Sequence, residues 1–279
     1  MVLILTPKNL KTKLKLGKET ALNISEYLKD FKIKRIGVIV DENISGLDYV
    51  KSILSNLKEF ELKIWNYDLK AEPDYDSLDR VKGEFKGVDC FLAIGGGSVI
   101  DFAKGLATLA VNEGSAINYR GFPKNINHSL PVIALPTTAG TASEVTYNAV
   151  FIDKQSKKKF GINTMNNFPV LAVLDPLLIA GSPKKVIASS GMDALTHILE
   201  SFAAVQSNEL TKTFAKKAFE LVFNNLPKVF ENNNDLEAIE KLQLGAYLAG
   251  VSLMNSGSGP AGALSYSLGV HFAVPHGVA

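Results

Sequence analysis

The order of apolar and amphipathic segments is the feature that most constrains the fold of this chain. Five short apolar runs typical of strands alternate with other segments in the first part: RIGVIV (35–40), FELKIW (60–65), DCFLAIG (89–95), PVIALP (131–136) and LAVLDP (171–176). The amphipathic stretches between the first runs give a βαβ pattern, which predicts a parallel sheet covered by helices. Two β-prone runs around a polar turn, AVFIDKQSKKKFGI (149–162), predict a hairpin.

The pattern changes near residue 180. From Pro183 onward the chain offers only helical periodicities, and Ser182 before Pro183 predicts a helix start, with serine as N-cap and proline as the first helical residue. We therefore predict two domains. Residues 1–180 form an α/β domain with a Rossmann-like parallel sheet, and residues 181–279 form an all-α domain.

Composition excludes several classes of function. The chain has 279 residues, of which 46% are hydrophobic, so it can bury a substantial core. Thirty basic and 28 acidic residues give a net charge of +2, which argues against a nucleic-acid or anionic-membrane partner. No apolar run reaches the roughly 18 residues of a membrane span. The single cysteine, Cys90, lies in an apolar run, which predicts a buried thiol and fits the reducing cytoplasm.

The segment FLAIGGGSVIDFAKG (91–105) contains the candidate phosphate-binding loop. An apolar strand runs directly into Gly95, Gly96, Gly97 and Ser98, and a helical pattern follows. Backbone amides that no side chain obstructs, at the start of a helix, suit a pyrophosphate. The segment differs from the GxGxxG fingerprint, however, and three glycines are equally typical of a tight strand-to-helix turn.

A second loop, LPTTAGTASEVT (135–146), supports the first. A strand that ends in proline is followed by a loop with four hydroxyl residues, Thr137, Thr138, Thr141 and Ser143. Their hydroxyls can approach phosphate or ribose closely. Loops rich in threonine and glycine are common, so this one alone indicates little. Two such loops after two apolar strands indicate more, because ligands of open α/β sheets bind at the carboxyl ends of the strands.

Asp41 also ends an apolar strand, in GVIVDEN. A carboxylate there can accept hydrogen bonds from an adenosine ribose and would repel a 2′-phosphate, which favours NAD over NADP. The alternative is an aspartate that opens a turn into the next helix.

The candidate metal ligands begin in SSGMDALTHILESF (189–202). Asp193 and His197 are four residues apart, so on a helix they share a face and can bind one ion. The alternative is that Ser190 and Asp193 form a capping box at a helix start and that His197 is an ordinary half-buried histidine. His276, in a Pro-His-Gly turn, could complete the site, but spacing does not reveal whether it lies near His197.

Taken in order, GGGSVIDFAK, LPTTAGTASEVT, DP, GMDALTH followed by Glu200, and VPHG resemble the iron-containing (group III) alcohol dehydrogenase family. The resemblance spans Asp41 to His276. It implies an N-terminal dinucleotide-binding domain, a helical metal domain and an active site in the cleft between them. The implied chemistry is hydride transfer between a small alcohol or aldehyde and NAD, with NADP less favoured, aided by Fe²⁺ or Zn²⁺ as a Lewis acid.

The resemblance also implies roles for particular residues. Those matching nucleotide-binding positions are Asp41 at the ribose, Gly95, Gly96, Gly97 and Ser98 at the pyrophosphate, Thr137, Thr138, Thr141 and Ser143 in the second loop, and Lys159 near the nicotinamide ribose. Those matching metal ligands are Asp193, His197 and His276. Asp101 and Lys104, in the extension of the glycine motif, match positions that we interpret as structural.

The helix AGALSYSLG (261–269) departs from the family pattern, because relatives carry there a further ligand histidine and often a second histidine near the nicotinamide. Gly262 and Tyr266 stand at those positions. Tyr266 could donate to the substrate oxygen or simply pack. His271 could replace the missing metal ligand and act in catalysis, or could be a loop histidine that lines the cleft.

Several alternatives concern the whole chain. The stretch SGPAGALSYSLGVHFAVPHG (258–277) is similar to the branch of 3-deoxy-manno-octulosonate 8-oxidase, which implies a primary alcohol of a sugar acid as substrate. A dehydroquinate-synthase-like lyase is a second candidate. Relatives continue beyond the Pro-His-Gly turn, so we expect a C-terminally truncated chain. Exposed apolar helix faces would then favour a homo-oligomer, or the chain could bind nucleotide without catalysis.

Overall fold

A computed structural model describes residues 10–29, 31–68, 72–124 and 126–279. Its eight described strands are β1 (Lys13–Leu16), β2 (Arg35–Asp41), β3 (Glu61–Tyr67), β4 (Cys90–Gly95), β5 (Val132–Pro136), β6 (Val150–Asp153), β7 (Lys158–Gly161) and β8 (Leu171–Leu174). Six of them form one parallel sheet in the order β1-β8-β5-β4-β2-β3. The antiparallel pair of β6 and β7 confirms the predicted hairpin.

Four helices accompany the sheet: α1 (Ile24–Leu28), α2 (Asp48–Ser55), α3 (Tyr75–Val81) and α4 (Gly97–Leu109). Every residue of β4 is buried, as expected for a central parallel strand covered on both faces. Phe91 and Ala93 face one apolar cluster, which includes α4, and Leu92 and Ile94 face the other. The period of two in side-chain direction therefore divides the core into two layers.

The strand order places the carboxyl ends of three strands beside one another. β2, β4 and β5 are neighbours and run in the same direction, so the segments after Asp41, Gly95 and Pro136 leave one edge of the sheet. The chain passes from β2 outward to β3 and returns on the other side of β2 to form β4. A crevice for a ligand is expected at this change of direction.

The C-terminal region is helical, as predicted: α5 (Lys184–Ala203), α6 (Glu209–Glu231), α7 (Leu236–Ser256) and α8 (Ala261–Phe272). α5, α6 and α7 bury a core of small and aliphatic residues. The predicted start of α5 is wrong by one residue, because Pro183 precedes the helix and its carbonyl accepts N–H groups of Val186 and Ile187. The division into domains of 1–180 and 181–279 stays a prediction.

Two further findings complete the fold. β1 was not predicted; it is a short edge strand, KLKL, whose lysines alternate with half-buried leucines. In the described part of the chain, no helix combines the length and apolar character needed to cross a membrane.

Candidate functional site

A cleft of about 810 Å³ lies between the sheet and the helices. Its wall includes the start of α4, the loop after β5, the β6–β7 hairpin, α5, α8 and the turn after α8. Gly97, Ser98 and Thr141 line one part, and His197 and His276 line another. The crevice at the carboxyl edge of the sheet and the candidate metal ligands therefore open into a single cavity.

Asp193, His197 and His276 come together at this cleft, and the two histidines line it. Each offers one ligand atom, and the three atoms lie within 4.8 Å of one another. Oδ1 of Asp193 is 3.6 Å from Nε2 of His197 and 3.6 Å from Nε2 of His276. An ion about 2.1 Å from each ligand atom requires separations of this size, and one carboxylate with two imidazoles is a ligand set that suits Zn²⁺ or Fe²⁺.

The position of the first two ligands follows from α5. Ser190 lies inside this helix and its hydroxyl donates to the carbonyl of Ile187, so the alternative of a capping box at a helix start is wrong. Asp193 and His197 therefore stand one turn apart on one face, as their spacing predicts. Burial is substantial, with 8% of the Asp193 side chain and 16% of the His197 side chain exposed.

His276 approaches from the turn after α8, and two neighbours orient its ring. Its Nδ1 lies 3.3 Å from Oγ of Ser265, and the ring of Tyr266 packs against it with a centroid separation of 5.6 Å. Burial lowers the pKa of His276 below its usual 6.5, and Lys159 and His197 lower it further, against the opposing charge of Asp193. The imidazole is therefore neutral near pH 7, as a metal ligand must be.

The prediction of His271 as a replacement ligand is corrected by its position. α8 continues to Phe272, so His271 belongs to a helix rather than to a loop, and its residue is exposed. It belongs neither to the group around Asp193 nor to the wall of the cleft. α8 instead turns Gly262 and Tyr266 toward the cavity, and a Cβ atom added to Gly262 would meet no atom within 4 Å.

Lys159 of β7 and Tyr266 of α8 meet on the wall of the cleft. The Lys159 side chain is only 5% exposed, its ammonium pairs with the carboxylate of Glu72, and it lies 5.3 Å from the centroid of the Tyr266 ring. A Cβ atom on Gly269 would come within 2.9 Å of the Lys159 nitrogen, so a glycine leaves room for it. Burial raises the pKa of Tyr266 to about 12, with help from nearby carboxylates, so its hydroxyl keeps its proton at neutral pH.

The two predicted nucleotide loops touch each other. α4 begins at Gly97, and the first N–H groups of a helix lack partners within it. A Cβ atom on Gly97 would come 2.5 Å from Oγ1 of Thr141, and one on Gly96 would come 3.4 Å from Oγ1 of Thr138. The N–H of Thr137 also donates to the carbonyl of Gly95. The glycines thus have a packing role in addition to any role toward phosphate.

Ser143 is held differently from the other hydroxyl residues of its loop. Its Oγ donates to Oδ1 of Asp101 at 2.8 Å, and the other oxygen of Asp101 accepts the N–H of Val150. Lys104, fully buried, reaches Asp101 at 3.4 Å and the carbonyl of Asn148 at 2.8 Å. These bonds support the structural interpretation of Asp101 and Lys104, and they use the Ser143 hydroxyl proton within the protein.

Asp41 lies one strand away from the glycine loop, at the end of β2. Its Oδ1 accepts hydrogen bonds from the backbone N–H and the side-chain amide of Asn43, at 2.9 and 3.0 Å. This arrangement is that of a turn-opening aspartate, and in the described part of the chain Oδ2 accepts no hydrogen bond, so it is available for a second role. Asp41 is not part of the wall of the cleft itself.

Three residues near the site were not assigned a role from sequence. Glu72 pairs with Lys159, and Ser265 contacts His276. Glu200 follows His197 on α5 and accepts the N–H of Ala261 at 2.6 Å, which ties the start of α8 to α5. Glu200 stands in the quoted motif, at helical spacing from His197, and this spacing is a signal that could have found it. Nothing in the sequence around Glu72 indicates its contact with Lys159, and nothing around Ser265 indicates its contact with His276 across the turn after α8.

Comparison with known proteins agrees with this geometry. The sequence-family model for iron-containing alcohol dehydrogenases matches residues 11–176. The family model for the C-terminal part of Fe-containing alcohol dehydrogenases matches residues 187–279. The chain belongs to the iron-containing alcohol dehydrogenase family. Membership in this family accounts for the parallel sheet followed by helices.

Individual known proteins are similar to this chain over nearly all of its length. Alcohol dehydrogenase 4 of Schizosaccharomyces pombe is 33% identical over 94% of the chain, which spans 63% of that protein. The crystal structure of a 1,3-propanediol oxidoreductase superimposes with a TM-score of 0.90, at 30% identity, over 96% of this chain and 71% of that one. Sulfoacetaldehyde reductase from Bifidobacterium kashiwanohense, solved in complex with NAD⁺, superimposes with a TM-score of 0.90 at 26% identity. The match covers 99% of this chain and 73% of that one.

Proposed function

We propose that this chain transfers a hydride between a small alcohol and NAD, with a divalent metal ion held by Asp193, His197 and His276. The observation that carries the proposal is that His197, His276 and the Gly97–Ser98 segment line the same cleft, with Asp193 beside the two histidines. Two relatives named for alcohol oxidation, over most of whose length the chain aligns, support the same chemistry.

The donor set fits the proposed ion. Two imidazoles and one carboxylate with ligand atoms within 4.8 Å of one another match a three-residue catalytic site with one position left open. When bound, a divalent ion polarises an alcohol oxygen as a Lewis acid, and NAD accepts the hydride. Either Fe²⁺ or Zn²⁺ is compatible with these ligands.

Tyr266 is the proposed proton-bearing group on α8. Its hydroxyl is protonated at neutral pH, because burial raises its pKa to about 12. A protonated phenol can donate a hydrogen bond to the substrate oxygen. Packing of its ring against His276 fixes where that hydroxyl can point.

The nucleotide is proposed to bind between the two loops. Free N–H groups at the start of α4 suit the pyrophosphate, and Gly95, Gly96 and Gly97 keep side chains away from it. Ser98, Thr138 and Thr141 supply hydroxyls, while Thr137 and Ser143 hold the second loop in place. Lys159, which lies beside Tyr266, is proposed to face the nicotinamide ribose. Asp41 is proposed to favour NAD over NADP by repelling a 2′-phosphate.

The experiment is alcohol-dependent formation of NADH by the purified chain. Short primary alcohols, 1,3-propanediol and a sugar acid with a primary hydroxyl would be offered before and after chelation. We expect NADH formation that chelation abolishes, that Zn²⁺ or Fe²⁺ restores, and that His197→Ala removes. His128→Ala is the matched control, because His128 is exposed in the first domain. Turnover insensitive to chelation would contradict the proposal, and bound NAD recycled without net NADH would favour a lyase.

Self-association is proposed from the surface of the helical region. The rings of Phe219 and Phe223 on α6 stack with a centroid separation of 5.1 Å, and the two residues are 40% and 58% exposed, respectively. Leu264 and Phe272 of α8 are exposed as well. Large apolar side chains exposed in this number favour an interface between copies of the chain. Sedimentation velocity should give a dimer or larger species, and a monomer at micromolar concentration would contradict this proposal. A cytoplasmic location stays a prediction.

A further inference from the structure

Ser265 lies between a helix carbonyl and the third candidate metal ligand. Its Oγ is 2.9 Å from the carbonyl oxygen of Gly262 and 3.3 Å from Nδ1 of His276. The residue is 7% exposed, so the hydroxyl is almost removed from water. Both contacts are therefore needed to satisfy it.

The direction of the two hydrogen bonds follows from what each atom can do. A carbonyl oxygen only accepts, so the single hydroxyl proton of Ser265 points to Gly262. The serine oxygen then accepts from His276, which requires the proton of the imidazole on Nδ1. This tautomer leaves Nε2 without a proton, and Nε2 is the atom 3.6 Å from Asp193.

His276 depends on such a partner more than His197 does. His197 is fixed by α5, whereas His276 stands in a turn after Ala273, whose φ of 52° ends α8. An imidazole in a turn can rotate and exchange its two nitrogens. Ser265 contacts Nδ1 while the ring of Tyr266 packs against the imidazole, so two consecutive residues of α8 hold it.

We propose that Ser265 is a positioning residue that sets the tautomer and orientation of His276, so that Nε2 of His276 faces the metal position. The proposal rests on the metal site of the proposed function and deepens it. The residues of α8 that face the cavity, Gly262 and Tyr266, carry neither carboxylate nor imidazole. Under this proposal α8 still contributes to metal binding, through Ser265. Hydrogen bonds to the far nitrogen of a ligand histidine hold its ring and raise its basicity.

The test compares Zn²⁺ affinity of the full chain with that of three variants, by competition with a chromophoric chelator. Ser265→Ala removes the hydroxyl and should weaken binding about 10- to 100-fold. Ser265→Thr keeps a hydroxyl at the same position and should recover most of that loss. Ser267→Ala, on the exposed side of the same helix, is the matched control and should bind as the unsubstituted chain does.

A spectroscopic readout separates positioning from general stability. With Co²⁺ in place of Zn²⁺, Ser265→Ala should shift the visible bands, and Ser265→Thr should restore them. In the Zn²⁺-loaded unsubstituted chain, ¹⁵N-edited spectra should show a slowly exchanging Nδ1 proton on His276, a result that does not depend on whether a variant folds.

Either of two affinity results would overturn this proposal and leave the proposed function standing: Ser265→Ala binding Zn²⁺ as tightly as the unsubstituted chain, or Ser265→Thr binding as weakly as Ser265→Ala. Rapid solvent exchange of the His276 Nδ1 proton would also overturn it. If the unsubstituted chain binds no Zn²⁺, the metal site of the proposed function fails as well, so the two failures are distinguishable.

Discussion

Nε2 of His276 lies 3.6 Å from Oδ1 of Asp193, although α6, α7 and α8 all lie between the two residues in the sequence. The same oxygen is 3.6 Å from Nε2 of His197. One buried carboxylate oxygen is therefore the point at which α5 and the turn after α8 meet. This convergence, on the wall of the cleft that also contains the glycine loop, is the basis of the predictions that follow.

Metal binding should stabilise the folded chain through Asp193. An ion that binds only the folded state at 100 times its dissociation constant adds about 2.7 kcal/mol to the free energy of unfolding. Zn²⁺ should therefore raise the melting temperature, and Asp193→Asn should abolish that rise. Asp48→Asn, which changes a fully exposed carboxylate, is the control and should keep it. A rise of equal size in Asp193→Asn would contradict the ligand assignment.

The contact between the nucleotide loops makes Gly97 sensitive to a single added carbon. A Cβ atom there would come 2.5 Å from Oγ1 of Thr141, so Gly97→Ala should push the loops apart. Overpacking of this kind lowers the free energy of unfolding by about 1–3 kcal/mol. NADH should also bind more weakly, because both proposed nucleotide loops are displaced. Gly46→Ala is the matched control, because nothing lies within 4 Å of its added carbon. Unfolding by urea and NADH fluorescence titration measure both effects, and unchanged values for Gly97→Ala would count against the packed arrangement.

Removal of one hydroxyl tests the role proposed for Tyr266. Tyr266→Phe keeps the ring that packs against His276 but cannot donate to a substrate oxygen. We expect kcat to fall on the order of 100-fold, as for the loss of a proton donor, with Zn²⁺ affinity unchanged. Tyr27→Phe, beside Lys15 and outside the cleft wall, is the control. If Tyr266→Phe turned over alcohol at the unsubstituted rate, Tyr266 would be a packing residue only.

Glu144 should make stability depend on pH. The residue is 4% exposed, and burial raises its pKa from 4.5 to about 7 against the attraction of Lys104. The folded chain then holds a proton that the unfolded chain releases above pH 4.5, so the contribution of Glu144 to stability is lost as pH rises through about 7.

Glu144→Gln, which resembles the protonated side chain, should lack this decline. The free energy of unfolding of Glu144→Gln minus that of the unsubstituted chain should increase by about 3 kcal/mol between acid pH and a pH above about 8. Urea unfolding of both proteins across that range is the measurement. A constant difference would show that the Glu144 pKa is not raised.

Much of the fold is predictable from sequence because the buried strands leave a strong signal. β4 is apolar at every position and ends in glycine, so the strand and the loop after it were both predicted, whereas its neighbours in the sheet were not. β1 was missed because an edge strand of alternating lysine and leucine buries too little to stand out. Its register comes from pairing with β8, far away in sequence.

Prediction of the site depended on distance along the chain. Asp193 and His197 could be paired from helical spacing alone, since both lie on α5. The nearness of His276 came only from the family resemblance, because no local pattern connects a turn after α8 to α5. Glu72 meets Lys159 only through the fold of the whole chain, whereas Ser265 meets His276 across the turn after α8. His271 was assigned wrongly because its position on α8 leaves it exposed.

Metal content of the purified chain tests the central claim most directly. Elemental analysis after loading with Zn²⁺ or Fe²⁺ and gel filtration, together with NADH titration of the same samples, should give about one ion per chain. His197→Ala should hold none while still binding NADH, and His128→Ala should match the unsubstituted chain. Absence of stoichiometric metal from the unsubstituted chain, or equal metal in His197→Ala, would contradict the assignment of Asp193, His197 and His276 as one metal site.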